Sequence, residues 1–346
     1  MVSHTKAGRR FLPKPARLLR IIIIQAVLTL VLLELVGRLF DPLGISYFPE
    51  TARYLDSLIR EEPIGYRNRP GLTGRYYGVE VRINSLGLRD REIEPRPAED
   101  EFRIMVLGDS VPFGVGVSYE DSIPHRLEET ANREASGPKR YRTINMGVPS
   151  YNTEQELIQL RDLGLGLNPD LVLLLYARND MEHKLWVFGK RSKWWINLGQ
   201  RSYAVSLLYQ FVRRLKPDIM GRQRNIDRFN RPEAANPGWL RVERSLGQIQ
   251  RLCRERNIPF AVAVRGGSES VLVQKMLAIG QREGFHLLTW RFEQPGQYQN
   301  SATDGHANPL GCRIIAETLH RKLRALGLLN PAESTSLPHH ASPEKE

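Results

Sequence analysis

Residues 102–116 read FRIMVLGDSVPFGVG. Ile104 to Leu107 form a short apolar run, Gly108-Asp109-Ser110 reads as a turn, and small residues lead on toward a helical pattern. An apolar strand that ends abruptly in a glycine turn is how α/β proteins present a reactive side chain at the carboxyl edge of a sheet. Ser110 is therefore expected at such an edge. Outward from this stretch, strand-like and helix-like runs alternate. Strands are expected near 103–107, 142–145, 171–176, 259–264 and 286–290, and helices near 119–135, 153–163, 238–256, 269–283 and 309–326. The strand runs are short and almost wholly apolar, as burial on both faces requires. The pattern predicts an α/β fold of three α/β/α layers with a mostly parallel central sheet over residues 101–328.

A serine hydroxyl is a weak nucleophile near neutral pH. It needs a base, and the substrate carbonyl needs donors for the charge that develops on it. The chain has candidates at loops that follow strand-like runs: His306 in TDGHANPLG as base, Gly147 in INMGVPSYN and Asn179 in YARND as charge stabilisers. GDS at Ser110, N-x-G at Gly147, ND at Asn179-Asp180 and DGH before a final helix occur in the order of the four blocks of the GDSL-type, or SGNH, hydrolases, which the chain resembles over roughly residues 101 to 328. The resemblance implies Ser110 as nucleophile, His306 as general base and Asp304 as the acid that orients it. It also implies an oxyanion site made by the Ser110 and Gly147 backbone N–H groups and the Asn179 side-chain amide. It implies no metal or organic cofactor.

Two positions depart from the common family pattern. The acid usually stands three residues before the histidine, where this chain has Thr303; Asp304 stands two before. The third block usually reads G-x-N-D, and Ala177 replaces the glycine, which matters only if that backbone needs a positive φ. Asp109 and Asp180 read as loop-shaping carboxylates. Of the other histidines, His125 and His320 fall in helical patterns, His286 opens a strand, and His183 follows the third block on the solvent or substrate side.

The amino terminus adds a second theme. Residues 1–20 carry Lys6, Arg9, Arg10, Lys14, Arg17 and Arg20 with no acid, and the chain turns apolar from Ile21 through Val36. This approaches the roughly 20 residues needed to cross a bilayer. The basic flank places the terminus in the cytoplasm, residues 21–40 as a transmembrane signal anchor, and the remainder in the periplasm or outside. A cleaved signal peptide and a buried helix are the alternatives; no small-x-small cleavage site follows the run. Residues 41–100 read as a lead-in arm, with an INSLGLRD stretch that resembles the lead-in of membrane-anchored family members. Residues 329–346 have the composition of a disordered tail.

Residues 184–232 form a basic and aromatic insertion. Its Trp194 and Trp195, with Arg178 beside the third block, are the candidate substrate-binding side chains, because aromatic faces suit sugar rings or a bilayer interface and cations suit acidic polysaccharide or phospholipid headgroups. The net charge of +12 points to an anionic surface or ligand, and the absence of a nucleic-acid-binding module argues against DNA or RNA as partner. Cys253 and Cys312 have no metal-ligand spacing and read as buried thiols rather than a disulfide. The function expected from the sequence is a membrane-anchored serine esterase acting on O-acylated envelope carbohydrate or lipid. An O-acyltransferase using the same acyl-enzyme and a non-catalytic envelope scaffold are the other readings, and protein partners are not legible.

Overall fold

The computed structural model describes residues 15–41, 44–45, 47–135, 137–181, 202–215, 236–302 and 304–329. Its centre is a five-stranded sheet of β5 (Glu101–Gly108), β6 (Arg140–Asn145), β7 (Leu171–Tyr176), β8 (Phe260–Arg265) and β9 (His286–Trp290), in the order β6-β5-β7-β8-β9. Every pairing is parallel. Parallel neighbours require crossover connections, and helices supply them on both faces.

Alternation along the strands decides which helix covers which face. Met105, Leu107, Val172, Leu174, Val262 and Val264 point to a core closed by α5 (Thr153–Asp162), α7 (Pro237–Arg254) and α8 (Val271–Glu283). Their neighbours Ile104, Val106, Leu171, Leu173, Leu175, Ala261 and Ala263 point to a core closed by α4 (Ile123–Arg133) and α9 (Pro309–Ala325). The result is the three-layer α/β/α arrangement expected from the sequence. Cys253 lies in the first core and Cys312 in the second, so the sheet separates two free, buried thiols; burial pushes each up to about 12.

Element ends shift by a few residues from the expected ones, for local reasons. The helix anticipated from residue 119 starts at Ile123, because residues 119–122 close a turn: the Ser122 N–H and Oγ both donate to the Tyr119 carbonyl, at 3.1 and 2.6 Å. A capping box starts α5, in which Asn152 Oδ1 accepts from the Gln155 N–H and Gln155 Oε1 accepts from the Asn152 N–H.

The arm between the apolar helix and the sheet lies on the same body. It comprises α2 (Tyr47–Ser57) and two antiparallel hairpins, β1 (Ile59–Glu61) with β2 (Gly65–Arg67), and β3 (Thr73–Tyr76) with β4 (Val79–Arg82). Tyr54, Tyr66, Val81 and Ile83 of the arm pack with Phe113, Val115, Val148 and Tyr151 from the loops at the carboxyl edge of the sheet. Arg89, from the INSLGLRD stretch, is 1% exposed, and its guanidinium donates to the carbonyls of Phe113, Gly114 and Val117 at 2.8, 2.5 and 2.8 Å. The arm therefore braces the loop that follows Ser110.

Among the described residues, α1 (Pro15–Phe40) is the one helix long and apolar enough to cross a membrane, and its apolar side chains are exposed. Its last turns meet α6 (Tyr203–Leu215), the described part of the insertion. The Tyr203 ring fills the space where a side chain at Gly37 would stand. The Glu34 carboxylate accepts from Ser202 Oγ at 2.9 Å and from the Ala204 N–H at 3.0 Å, and pairs with Arg38 at 2.6 Å. Leu208 and Phe211 of α6 are exposed. Trp194, Trp195 and the expected disordered tail beyond residue 329 lie outside the described residues.

Candidate active site

Strand β5 ends at Gly108, whose φ of +145° and contacts with the Leu175 carbonyl and Pro112 leave no room for a side chain. The chain turns there into α3 (Ser110–Phe113), a single turn capped by Asp109, whose Oδ1 accepts from the Val111 N–H at 3.0 Å. This sets Ser110 two residues past the end of β5, half-buried in the lining of a cleft of about 980 Å³.

The loop before α9 brings the other groups to it. His306 Nε2 lies 2.8 Å from Ser110 Oγ, and its Nδ1 lies 2.5 Å from Asp304 Oδ1. Asp304 is buried and held on every side. Its Oδ1 also accepts from the His306 N–H at 3.1 Å, its Oδ2 accepts from Asn300 Nδ2 at 2.9 Å, and its own N–H donates to Ser301 Oγ at 3.0 Å. A spacing of two residues is thus enough for the carboxylate to reach the imidazole, because the loop folds back and pairs Asn300 with His306 through the backbone. With a carboxylate on Nδ1, the proton belongs on that nitrogen and Nε2 is left as the acceptor facing the serine.

Burial opposes a charged His306, but the hydrogen bond and charge of Asp304, with the charge of Asp109 added, outweigh it and hold the imidazole above the ordinary histidine value. An imidazolium cannot take a serine proton, so any activity that uses His306 as base is expected to fall as pH drops through this raised value. The acid limb of kcat/KM is expected at higher pH than an unperturbed histidine would give. Asp304→Asn removes the two groups of effects that raise the value through that side chain and leaves burial, so the limb should move to lower pH. A pH–rate profile of both proteins measures the shift, and an unmoved limb would contradict this assignment.

Asn179 stands in the short 3₁₀ turn Arg178–Met181 after β7. Its Nδ2 donates to Asp109 Oδ2 at 2.8 Å, and the same oxygen lies 3.1 Å from Ser110 Oγ, so one carboxylate places both the amide and the serine. Asp180 shapes the turn by accepting from the Ala177 N–H at 2.8 Å. Ala177 is not among the residues with positive φ, which explains why a methyl group is accommodated where a glycine is usual.

Gly147 differs from expectation. Its N–H does not face the cleft; it donates to Asn145 Oδ1 at 2.9 Å, while Asn145 Nδ2 donates to the Pro112 carbonyl at 2.8 Å. The glycine is needed for a different reason, since a side chain there would run into the Phe113 backbone. The N-x-G block therefore packs against the turn that carries Ser110 and does not bring its N–H to the other groups.

Several side chains of the cleft carried no signal in the sequence. Tyr47, at the start of α2, puts its ring centroid 5.5 Å from that of His306; burial, then the charge of Asp304, pushes its phenol up to about 12. Arg265, Trp290 and Phe292 line the far side with Arg178. Asn300 sits in a polar loop without periodicity. His125 bonds the Glu120 carbonyl, and His320 is buried on α9 near Glu134, both as helix residues. Among the described residues no group of three His, Cys, Asp or Glu side chains could hold a metal ion.

The segments that follow β5, β6, β7 and β9 at the carboxyl edge thus carry Ser110, Gly147, Asn179 and His306 in chain order. The architecture is a three-layer α/β/α fold around an all-parallel five-stranded sheet. Solved structures similar in shape include TesA, 14% identical, with 65% of this chain and 99% of that chain covered at a TM-score of 0.41. The psychrotrophic esterase EstA from Pseudoalteromonas sp. is 14% identical, with 64% and 97% covered at 0.40. A two-domain esterase active on acetylated mannans is 11% identical, with 71% of this chain and 53% of that chain covered at 0.42. No protein-family model and no curated protein matches the sequence.

Proposed function

We propose that this chain is a serine esterase of the GDSL, or SGNH, type, working through an acyl-enzyme on O-acyl groups of envelope carbohydrate or lipid, and held at a membrane by α1. The observation that carries the reading is the unbroken relay from Ser110 Oγ to His306 Nε2 and from His306 Nδ1 to Asp304. In this reading Ser110 Oγ attacks the ester carbonyl carbon and gives its proton to Nε2. The oxyanion is met by the Ser110 N–H and the Asn179 amide, a neutral donor already oriented by Asp109. Collapse of the tetrahedral species expels the alcohol, which takes the proton back from Nε2. Water then attacks the acyl-serine, with His306 again as base, and frees the acid.

The basic residues ahead of α1 support a reading in which the helix starts in the cytoplasm and the catalytic body lies in the periplasm or outside. The features that favoured a non-catalytic scaffold are the two departures from the family pattern. Asp304 touching His306, and a backbone at Ala177 that tolerates a methyl group, leave them compatible with catalysis.

A fluorophosphonate probe should label the protein at one residue, Ser110, as mapped by peptide mass spectrometry, and His306→Ala should slow labelling by about two orders of magnitude or more, the usual contribution of a general base. A folded protein left unlabelled at Ser110 would defeat the proposal.

A further inference from the structure

We infer that the cleft beside Ser110 takes an ester bearing an anionic group, a carboxylate or a phosphate, met by the guanidinium of Arg265. This deepens the serine esterase reading and rests on it. Arg265 is the last residue of β8, and Arg178 directly precedes Asn179; both line the cleft that holds Ser110 and His306. The two guanidinium groups feel each other: burial, then the charge of Arg178, lowers the Arg265 pKa.

Among the described residues no acidic side chain is paired with Arg265 by an ion pair or hydrogen bond. Its guanidinium is held by aromatic faces instead, 5.6 Å from the Trp290 ring centre and 5.4 Å from that of Phe292. Glu269 also lines this end of the cleft, but its carboxylate is folded against Gly267.

Stacking on two rings fixes the plane of the guanidinium and leaves its donor fork for a ligand. A planar guanidinium fork matches the two or three oxygens of a carboxylate or phosphate. The cleft therefore holds, in one lining, hydrogen-bond donors for a scissile carbonyl and the positive charge of Arg265 for a second, anionic group. Neutral acyl esters would leave that second site unused.

The test is a ratio measured in the full chain. Mono-4-nitrophenyl succinate is compared with 4-nitrophenyl butyrate, which places the charge in the acyl half, and 3-acetoxybenzoate with phenyl acetate, which places it in the alcohol half. At low salt, the kcat/KM ratio of the anionic to the neutral ester should fall at least tenfold from parent to Arg265→Gln in at least one pair, and added salt should lower it in the parent. Ratios equal in parent and variant for both pairs would overturn the inference.

Absence of any Ser110-dependent hydrolysis would count against the esterase reading alone. The anion site is read separately by titrating glutarate and inorganic phosphate against tryptophan fluorescence, with Trp290 as the reporter beneath Arg265. Saturable binding, weakened at least tenfold in Arg265→Gln, supports the site, and the tighter ligand names the group. No saturable signal from either overturns it.

Discussion

Ser110→Ala should lower kcat/KM for a short-chain p-nitrophenyl ester by about 10⁴-fold or more, with the melting temperature unchanged within a few degrees. The size follows from the relay. Without Oγ there is no acyl-enzyme, and what remains is catalysis by the oxyanion donors and by binding alone. Stability should hold because Ser110 is half-buried and its hydroxyl bonds only its immediate partners, His306 and Asp109. His306→Ala should cost a similar factor, and the double variant should be scarcely worse than either single one, because nucleophile and base act as one unit. Steady-state kinetics on the three variants beside thermal melts gives the comparison. Losses that multiply, or activity of Ser110→Ala within tenfold of the parent, would mean that the relay is not the catalytic one.

Arg89→Leu should remove about 3–5 kcal/mol of stability, a loss in the range of broken buried networks. The guanidinium is inside the protein and its charge is met by carbonyl dipoles, with burial pushing its pKa down to about 10. Deleting it strands the Phe113, Gly114 and Val117 carbonyls without donors, each at a cost of about 1–3 kcal/mol before relaxation. Arg89→Lys should not rescue, since one ammonium cannot span three carbonyls in the fixed plane of the fork. These carbonyls belong to the turn that carries Ser110, so the rate of fluorophosphonate labelling should fall together with the denaturation midpoint. A midpoint that moves by less than about 1 kcal/mol equivalent would show that the arm is an ornament rather than a brace.

The sheet was legible because burial on both faces leaves a strand no polar positions, and LVLLLY at β7 admits no other reading of comparable simplicity. The partition of each strand between two cores was implicit in the same letters, since alternate residues must face opposite layers. The relay was legible only through the order of the blocks: His306 lies 196 residues from Ser110, and no periodicity joins them. What escaped was whatever depends on side-chain geometry across distant segments. Tyr47, Arg89, Arg265 and Asn300 look like ordinary surface letters, and it is the fold that puts two of them in the cleft, one beneath the Ser110 turn and one against Asp304. Gly147 shows the opposite error. The tripeptide correctly marked a glycine that must approach the serine turn, but the rotamer of Asn145, invisible in sequence, decides where the N–H goes.

The link between α1 and the site has a geometric consequence. Six residues separate Phe40, the end of the apolar helix, from Tyr47 beside His306, and the seven steps of chain between those two span at most roughly 25 Å. A second fastening runs from Glu34 to the start of α6. Two fastenings make a bracket where one would make a leash. Were α1 to stand in a bilayer, as proposed, these two fastenings would hold the cleft close to the membrane and limit how far it could swing outward. Esters that it turns over would then have to be brought to it there, either by the lipid surface itself or by a polymer emerging through it.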